Sequence, residues 1–231
     1  MTKTEEYKRM AAEAAVEAVK PGMVVGLGTG STANYAITRI AKLLKSGELT
    51  DIIGIPSSVP TNDLASSLGI PLATFADHSV IDITIDGADE VDKDLNLIKG
   101  GGGALLQEKI LAQVSREVII IVDEGKLSDK LGTRFPLPVE VVPFGLHTEK
   151  RFLESLGAKV SLRENVIAKP FRTDHRNLIL DAEFGPIDDP YALAEKLSRR
   201  AGVVEHGLFL GVATEVVVAG KNGITRLKKK G

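Results

Sequence analysis

The sequence predicts an α/β fold, in which a Rossmann-like, open and mostly parallel sheet with crossover helices is joined by a smaller α+β subdomain. Two observations support this class. Up to about residue 130, short runs rich in β-branched residues alternate with helical segments, as in parallel sheets with crossover connections. From about residue 131, prolines interrupt the chain and a different order of elements begins. We therefore expect a main catalytic domain of residues 1–130 and about 205–231, and a lid or oligomerisation subdomain of about 131–204.

The elements of the main domain follow one another in a regular order. Residues 4–20 predict a mixed-charge helix that Pro21-Gly22 ends. Strands are expected where β-rich runs end in glycine, proline or aspartate, namely at Met23–Leu27, Ile52–Ile55, Ile81–Ile85 and Val118–Val122. Helical spacing between these runs predicts helices over Ser31–Leu44, Thr61–Leu68 and Ala104–Val114.

The second part of the chain predicts the order β-α-β-β-α. A helix is expected over Thr148–Leu156, followed by strands near Ala158–Leu162 and Leu178–Asp181. Asp189 has the character of an N-cap and predicts the start of a further helix. The final segment, Gly207–Ala219, resembles a strand, and we expect it to return to the main sheet.

Composition excludes several classes of function. The 29 basic and 31 acidic residues give a net charge of −2, which offers no patch for nucleic acid or an anionic membrane. There is no cysteine, so disulfides, thiolate catalysis and the usual structural zinc sites are absent. The apolar runs are shorter than the roughly 20 residues of a spanning helix, and no signal or transit peptide is recognisable. We expect a cytoplasmic protein.

The loops that follow the predicted strands carry the polar residues. Open α/β sheets bind ligands beyond the carboxyl ends of their strands, where the loops converge and helix N-termini point into the same crevice. We expect four such loops to build one site: Gly28–Thr32, Asp86–Asp89, Lys99–Gly103 and Asp123–Lys126.

The first of these loops predicts a phosphate site. Between a strand and a helix, Gly26–Thr32 combines free backbone N–H groups and the positive end of a helix dipole with the hydroxyls of Ser31 and Thr32. A dinucleotide fingerprint would need its third glycine where the chain has Ser31, and the lysine of a nucleotide P-loop is missing. A phosphate monoester is therefore favoured over a nucleotide.

Asp86 and Asp89 form the next candidate group. Asp86 ends a strand at the mouth of the expected site, and Gly87-Ala88 leaves room for a ligand beside the backbone. The two carboxylates are suited to hydrogen-bond sugar hydroxyls and to relay their protons, although an Asx-type turn and a Mg²⁺ site remain alternatives. The acidic residues that follow are expected to be solvated: Glu90, Asp92 and Asp94.

Lys99 and Glu108 complete the set. Lys99 precedes Gly100–Gly103, and four consecutive glycines cost chain entropy that close backbone contact with a ligand would justify. Glu108 lies one turn after Ala104 at the start of a predicted helix and can face the crevice. A glutamate partly removed from water can exchange a proton with carbon if a cation such as Lys99 stabilises the negative oxygen that forms.

Five ordered motifs run along the chain: GLGTGSTA at 26–33, DGADE at 86–90, KGGGGALLQEK at 99–109, DEGK at 123–126 and VVEHGLF at 203–209. Together they closely resemble the motifs of ribose-5-phosphate isomerases of the A type. The likeness covers essentially the whole chain, and five motifs at fitting spacing are far more specific than any one glycine pattern.

The resemblance implies an aldose–ketose isomerase that interconverts D-ribose 5-phosphate and D-ribulose 5-phosphate through an enediolate in the non-oxidative pentose phosphate pathway. It implies that Glu108 moves the proton between C1 and C2, that Asp86 opens the furanose ring and that Lys99 stabilises the enediolate. It implies that Asp89 holds hydroxyls. The substrate-binding set that it implies further includes Lys8, Thr29, Gly30, Ser31, Thr32, Gly87, Ala88, Gly100, Gly101, Gly102 and Lys126.

The resemblance also implies a homodimer or homotetramer, with no metal and no organic cofactor. Two other classes remain as alternatives, a related sugar-phosphate deaminase or lactonase and a non-catalytic sugar-phosphate sensor. The first would need a histidine-centred apparatus, yet none of the four histidines falls in the four loops, and the second would need a DNA-binding segment. His206 is expected to be a hydrogen-bonded structural residue.

Overall fold

The computed structural model describes residues 2–229, so that Met1, Lys230 and Gly231 of the expected main domain lie outside the described residues. The α-helices within that range are α1 (Lys3–Val16), α2 (Ser31–Ser46), α3 (Val59–Ser67), α4 (Leu105–Val114), α5 (Leu146–Ser155) and α6 (Pro190–Ser198). Short 3₁₀ turns lie at Glu124–Lys126 and Pro143–Gly145.

The strands of the described chain fall into three sheets. In chain order they are β1 (Val24–Leu27), β2 (Ile53–Pro56), β3 (Ile81–Gly87), β4 (Glu90–Val91), β5 (Leu97–Ile98), β6 (Ser115–Asp123), β7 (Leu137–Val141), β8 (Lys159–Leu162), β9 (Leu178–Glu183), β10 (Val203–His206), β11 (Leu208–Phe209), β12 (Glu215–Gly220) and β13 (Gly223–Lys228).

The chain divides into two compact units. The first comprises Met1–Ala88, Gln107–Lys126 and Val212–Gly231, and the second comprises Asp89–Leu106 and Leu127–Gly211. The role of a lid or oligomerisation subdomain remains a prediction.

The first unit is built on a six-stranded sheet with the order β13-β12-β6-β3-β1-β2. Every neighbouring pair is parallel except β12 and β13, which form an antiparallel hairpin. The parallel strands are mostly buried, which explains their runs of valine and isoleucine, whereas the edge strand β13 is largely exposed. Helices α1 and α2 contribute alanine and isoleucine side chains to its main core, including Ala11, Ala15, Ile37 and Ile40.

The second unit contains two antiparallel sheets. Four strands have the order β10-β7-β9-β8, and three short ones have the order β11-β5-β4. Helix α5 contributes Leu153 and α6 contributes Leu197 to the core of this unit, where both are fully buried. Asp189 caps α6 by accepting the N–H of Ala192 at 2.9 Å, as the sequence predicted.

The predicted fold class is confirmed, because a mostly parallel sheet with helices occurs beside antiparallel sheets. The order β-α-β-β-α is also found, as β7, α5, β8, β9 and α6. Within residues 2–229 no helix has the length and apolar character needed to cross a membrane.

Two predicted elements need correction. The segment Gly207–Ala219 does not return to the main sheet as one strand, because Leu208–Phe209 pairs with β5 in the second unit and only Glu215–Gly220 joins the main sheet. The first helix ends at Val16, four residues before the end that Pro21-Gly22 predicted.

Candidate active site

In the first unit, the loops of interest leave one edge of the sheet. Strands β1, β2, β3, β6 and β12 run parallel, so their carboxyl ends lie on the same side. The turn after β1 carries Thr29 and Gly30, β3 ends with Asp86 and Gly87, and Lys126 follows β6 in a 3₁₀ turn. The sequence-based expectation that these residues share an edge is thus met within this unit.

The turn Gly26–Gly30, here called the first glycine turn, is shaped by the neighbouring strand. A Cβ atom on Gly28 would lie 2.6 Å from the Cα of Asp86, and one on Gly26 would lie 2.9 Å from the Cβ of Thr84. Gly30 has φ = +103°, which few other residues adopt. Gly30 is also the N-cap of α2 and makes no side-chain capping bond, so the first amides of α2 face the turn uncapped.

Lys8 reaches this turn from α1. Its ammonium donates to Ser31 Oγ at 3.0 Å and to Glu5 Oε1 at 2.8 Å. The phenol of Tyr35 donates to the other oxygen of Glu5 at 2.7 Å. The bonds from Lys8 and Tyr35 lower the pKa of Glu5, and the bond to Glu5 raises the pKa of Tyr35. A cation is therefore held at the N-terminus of a helix, where an anion is favoured.

Thr29 directs its hydroxyl away from the turn into a cluster of hydroxyls that sequence reasoning missed. Thr29 Oγ1 lies 2.7 Å from Ser57 Oγ, 2.8 Å from Ser58 Oγ and 3.1 Å from Thr61 Oγ1. Thr61 in turn donates to the carbonyl of Gly28 at 3.0 Å. The sequence signal is the N-cap pattern of Ser58 with Thr61, since Ser58 caps α3. These hydroxyls hold the first glycine turn in place through the side chain of Thr29 and the carbonyl of Gly28.

Asp86 and Glu108 are the buried carboxylates of the first unit's candidate set. Asp86 is 2% exposed, and its Oδ1 accepts the N–H of Thr29 at 3.1 Å and that of Gly87 at 2.7 Å. Glu108 is 4% exposed in the first turn of α4. One turn later, Leu111 packs with Val24 and neighbouring strand residues, which fixes the rotation of the helix.

Two further predicted residues, Asp89 and Lys99, lie in the second unit with Gly100–Gly103. Asp89 Oδ2 accepts the N–H of Gly101 at 2.7 Å, so this carboxylate is tied to the glycine run (Gly100–Gly103). Lys99 is 3% exposed, and its ammonium lies 5.5 Å from the centre of the Phe209 ring. A buried cation over an aromatic face is stabilised by the ring quadrupole. Phe209 was not singled out from the sequence.

Glu90 and Asp92 are not solvated, contrary to the expectation for the acidic residues after Asp89. Glu90 is fully buried and accepts backbone N–H groups from Gly132 at 2.9 Å and Arg134 at 3.1 Å. Asp92 accepts both the backbone and the side-chain N–H groups of Asn96. These carboxylates organise loops of the second unit, whereas Asp94 is exposed as predicted.

A family model described as ribose 5-phosphate isomerase A (phosphoriboisomerase A) matches residues 53–223. The chain belongs to the ribose 5-phosphate isomerase A family. A ribose-5-phosphate isomerase A of Desulfatibacillum aliphaticivorans is 64% identical over 228 residues, which cover 99% of each chain. The match therefore extends beyond the region of the family model.

Solved structures of ribose 5-phosphate isomerases share the whole fold. One from Plasmodium falciparum has a TM-score of 0.95 and 41% identity, covering 98% of this chain and 100% of its own. A D-ribose-5-phosphate isomerase in complex with phospho-erythronic acid has a TM-score of 0.96 and 41% identity, covering 99% and 100%. The resemblance seen in the sequence motifs is confirmed.

Membership of the ribose 5-phosphate isomerase A family places the chain among isomerases and does not favour the deaminase, lactonase or sensor alternatives. His206 contacts Ser198 Oγ through Nε2 at 3.3 Å, and it is 4% exposed. In the part of the chain that the structure describes, no group of three or more histidine, aspartate or glutamate side chains is arranged to hold a metal ion.

Proposed function

We propose that this chain interconverts D-ribose 5-phosphate and D-ribulose 5-phosphate by proton transfer between C1 and C2, as a step of the non-oxidative pentose phosphate pathway. The observation that supports this most strongly is the match to a ribose-5-phosphate isomerase A over 99% of the chain. The substrate is then a phosphate monoester with several hydroxyls, which fits the polar loops of the sheet edge.

The proposed chemistry assigns the carbon-bound proton to Glu108. Its carboxylate removes the proton from C2 of the open-chain aldose, and the electron pair forms the C1–C2 double bond of an enediolate. The negative charge then lies on the oxygen of C1, where the ammonium of Lys99 stabilises it. The hydroxyl proton of C2 then moves to the oxygen of C1. Glu108 returns its proton to carbon C1 while the electron pair on the C2 oxygen forms the carbonyl of the ketose, so protons and electrons balance.

Asp86 is proposed to open the furanose ring by moving a hydroxyl proton, and Asp89 to hold hydroxyls. Gly87 and Ala88 give the sugar access to the backbone, Gly100, Gly101 and Gly102 bind its oxygens, and Lys126 contacts it. These assignments follow the family motifs, and each is a proposal for this chain. Two observations support the role of Asp86: its side chain is buried, and two backbone N–H groups, those of Thr29 and Gly87, hold its Oδ1 in one orientation at the end of β3.

The phosphate is proposed to bind at the first glycine turn. The uncapped N-terminus of α2, the hydroxyls of Ser31 and Thr32 and the ammonium of Lys8 supply donors and positive charge. Thr29 and Gly30 are proposed to line this site with their backbone. The interactions among these groups are internal to the first unit, so this end of the site is formed before substrate arrives.

The direct test is Glu108→Gln with ribose 5-phosphate in the presence of EDTA. We expect at least about a 10³-fold loss of kcat, because the amide cannot accept the carbon proton. The matched control is Glu195→Gln on α6, whose carboxylate contacts Arg199 at the surface. The control should retain the wild-type rate, and a near wild-type rate for Glu108→Gln would refute the assignment of the base.

Isotope incorporation tests the enediolate separately. The same carboxylate, that of Glu108, is proposed to take the proton from C2 and to return a proton to C1. In heavy water it can exchange its proton with solvent in between, so the ribulose 5-phosphate made by the wild type should carry deuterium at C1. A direct hydride shift would leave product unlabelled, and that result would contradict the proposed mechanism while leaving the overall isomerisation intact.

Phospho-erythronic acid provides a third test. A related D-ribose-5-phosphate isomerase was solved in complex with it. Its carboxylate carries two oxygens and negative charge near the position of the enediolate oxygens, so we expect competitive inhibition of the wild-type chain. Loss of this inhibition in Lys99→Met, with inorganic phosphate still competing, would support the assigned charge stabilisation, and equal inhibition of both proteins would contradict it.

We also propose a cytoplasmic homodimer or homotetramer in which the second unit contributes to assembly. Large apolar side chains stand exposed on that unit, notably Phe144, Val166, Ile167 and Tyr191. Aromatic side chains such as Phe144 and Tyr191 are enriched in contact surfaces between subunits. Light scattering should give a mass of two or four times 24.6 kDa, and a monomer at assay concentration would contradict the proposal.

A further inference from the structure

A hairpin of the second unit holds the glycine run. Residues 163–171 form this hairpin, in which Phe171 N–H donates to the carbonyl of Arg163 at 2.8 Å. Arg163 is itself tied to β9, because its N–H donates to the carbonyl of Ile179 at 2.9 Å. The two ends of the hairpin therefore have fixed positions, and both of their side chains contact the glycine run.

The guanidinium of Arg163 joins a carboxylate to two carbonyls of that run. Its Nε donates to Asp181 Oδ2 at 2.9 Å, and its Nη2 donates to Asp181 Oδ1. Its Nη1 donates to the carbonyl of Gly100 at 2.7 Å and to that of Gly101 at 3.1 Å. The side chains of Arg163 and Asp181 are only 13% and 18% exposed. The bidentate pair thus fixes the plane of the guanidinium, and the remaining nitrogen fixes the glycines.

By binding the carbonyls of Gly100 and Gly101, Arg163 also orients the N–H groups of the residues that follow them. In a trans peptide the C=O and N–H point in opposite directions. The N–H groups of Gly101 and Gly102 therefore face away from Arg163, and that of Gly101 meets Asp89 Oδ2 at 2.7 Å. Glycine has no side chain that restricts its backbone, so the orientation of the Gly102 amide depends on the contacts of the run. These contacts are the two carbonyl bonds from Arg163, the bond from Gly101 N–H to Asp89 and the bond from Gly103 N–H to the Gly100 carbonyl at 3.0 Å.

Phe171 fixes the far end of the run. A Cβ atom on Gly103 would lie 2.5 Å from the ring of Phe171, and Gly103 has φ = +84°. The aromatic ring therefore packs directly on glycine backbone. Arg163 and Phe171 together contact three of the four glycines, Gly100, Gly101 and Gly103.

We propose that Arg163, oriented by Asp181, is a positioning residue for the isomerisation: it aligns the peptide groups of Gly100–Gly102 that bind the sugar oxygens. We call the Arg163–Asp181 pair and its two carbonyl bonds the arginine clamp. Arg163 need not touch the substrate. The proposal rests on the proposed function, because that function assigns the glycine run to substrate binding.

The test compares Arg163→Ala with Arg200→Ala. Arg200 forms a similar bidentate pair in the same unit, donating to Glu149 at 2.8 Å and 3.1 Å, but it makes none of the bonds of the arginine clamp. We expect Arg163→Ala to lower kcat/KM by about 10–100-fold, the usual effect of misplacing substrate-binding groups through a supporting residue. Arg200→Ala should stay within about twofold, although it loses stability from the unpaired Glu149.

Chemical rescue separates positioning from general destabilisation. Guanidinium ion at low concentration should restore several-fold activity to Arg163→Ala, because it can occupy the site between Asp181 and the carbonyls. It should not raise the activity of Arg200→Ala or of the wild type. Arg163→Lys, which keeps the charge but lacks the planar fork, should remain impaired. Absence of rescue together with equal rates for the two alanine variants would overturn the proposal.

Hydrogen exchange tests the clamp without an activity assay. The amides of residues 100–104 should exchange faster in Arg163→Ala than in the wild type, and Arg200→Ala should leave them unchanged. Equal exchange in all three proteins would also overturn the proposal. If the wild type fails to isomerise ribose 5-phosphate, the proposed function fails, and the exchange result still decides whether Arg163 holds the glycine run.

Discussion

The first glycine turn and the glycine run are both proposed to bind substrate, yet different neighbours give them their shapes. Around the first turn, the backbone of β3 approaches so closely that Gly28 has no room for a side chain. The glycine run is instead bounded by side chains, with Asp89 beside Gly101 and Phe171 beside Gly103. The β3 backbone beside Gly28 can move only if the sheet itself is distorted. The side chains beside the glycine run can move away by rotating about their χ angles.

Substitutions in the two segments should therefore affect different properties of the protein. The first turn depends on the strand register of a buried parallel sheet, so changes there affect stability and function together. The glycine run depends on a few polar contacts, so changes there affect function first. Four variants, ordered from the largest expected effect to the smallest, test this comparison.

Gly28→Ala should have the largest effect. Its Cβ would lie 2.6 Å from the Cα of Asp86, so β1 and β3 must separate. We expect the free energy of unfolding to fall by about 3 kcal/mol, as in severe overpacking of a core, with isomerisation abolished. Denaturant unfolding and the isomerase assay measure the two effects.

The control for this change is Gly145→Ala, where φ is −87° and the nearest atom would lie 3.4 Å from the new Cβ. This variant should stay within about 1 kcal/mol of the wild type. If Gly28→Ala were as stable as the control, β1 and β3 could separate at little cost in free energy. The proposed difference between the first glycine turn and the glycine run would then be wrong.

Gly101→Ala should affect activity more than stability. The new Cβ would lie 2.5 Å from Asp89 Oδ1, and rotation of that carboxylate relieves the clash but breaks its bond to the Gly101 N–H. We expect kcat/KM to fall about tenfold, the equivalent of one lost hydrogen bond. The unfolding free energy should change by less than about 1 kcal/mol. A stability loss equal to that of Gly28→Ala would contradict the comparison.

Removing both hydroxyls of Ser31 and Thr32 should raise KM with kcat nearly unchanged, because the phosphate is bound equally in the ground and transition states. About a tenfold increase corresponds to one or two lost hydrogen bonds. Inorganic phosphate should compete with substrate in the wild type and compete less in the double alanine variant. Thr38→Ala, on the same helix with its hydroxyl bonded to the Asn34 carbonyl at 2.7 Å, is the control. An unchanged KM would place the phosphate elsewhere.

Glu5→Gln should have the smallest effect. The Glu5 carboxylate raises the pKa of Tyr35, so its loss should lower that pKa toward the ordinary value. Because the folded pKa lies above the unfolded one, the stabilisation is present at neutral pH and is lost as pH rises through the folded pKa. Ultraviolet titration of tyrosinate measures the shift, and KM should change less than about twofold, since Lys8 keeps its bond to Ser31. An unmoved tyrosine titration would rule out this coupling.

Sequence reasoning recovers what depends on local periodicity. The alternation of strands and helices, the N-cap at Asp189 and the polar residues at strand ends follow from patterns a few residues long. For the same reason, the edge that carries Thr29, Asp86 and Lys126 was predictable once the strands were taken as parallel.

Contacts between distant segments were not predictable. Glu90 was expected in solvent, but the loop at Gly132–Phe135 folds over it and supplies three N–H groups from 42 to 45 residues away. Arg163 lies 63 residues from Gly100, and no local pattern links them. The division of Gly207–Ala219 between two sheets has the same cause, because pairing partners rather than residue types decide where each short strand lies.

The position of β12 has a consequence for how the chain is made. This strand lies between β6 and β13, and its approach is marked by bonds between Thr214 and Val118, 96 residues apart. Until Glu215–Gly220 has been synthesised, one edge of β6 has no strand to pair with. Unpaired strand edges of this kind can pair with other chains and cause aggregation. Translation of Glu215–Gly220 therefore sets when this edge of the nascent sheet becomes protected from misassembly.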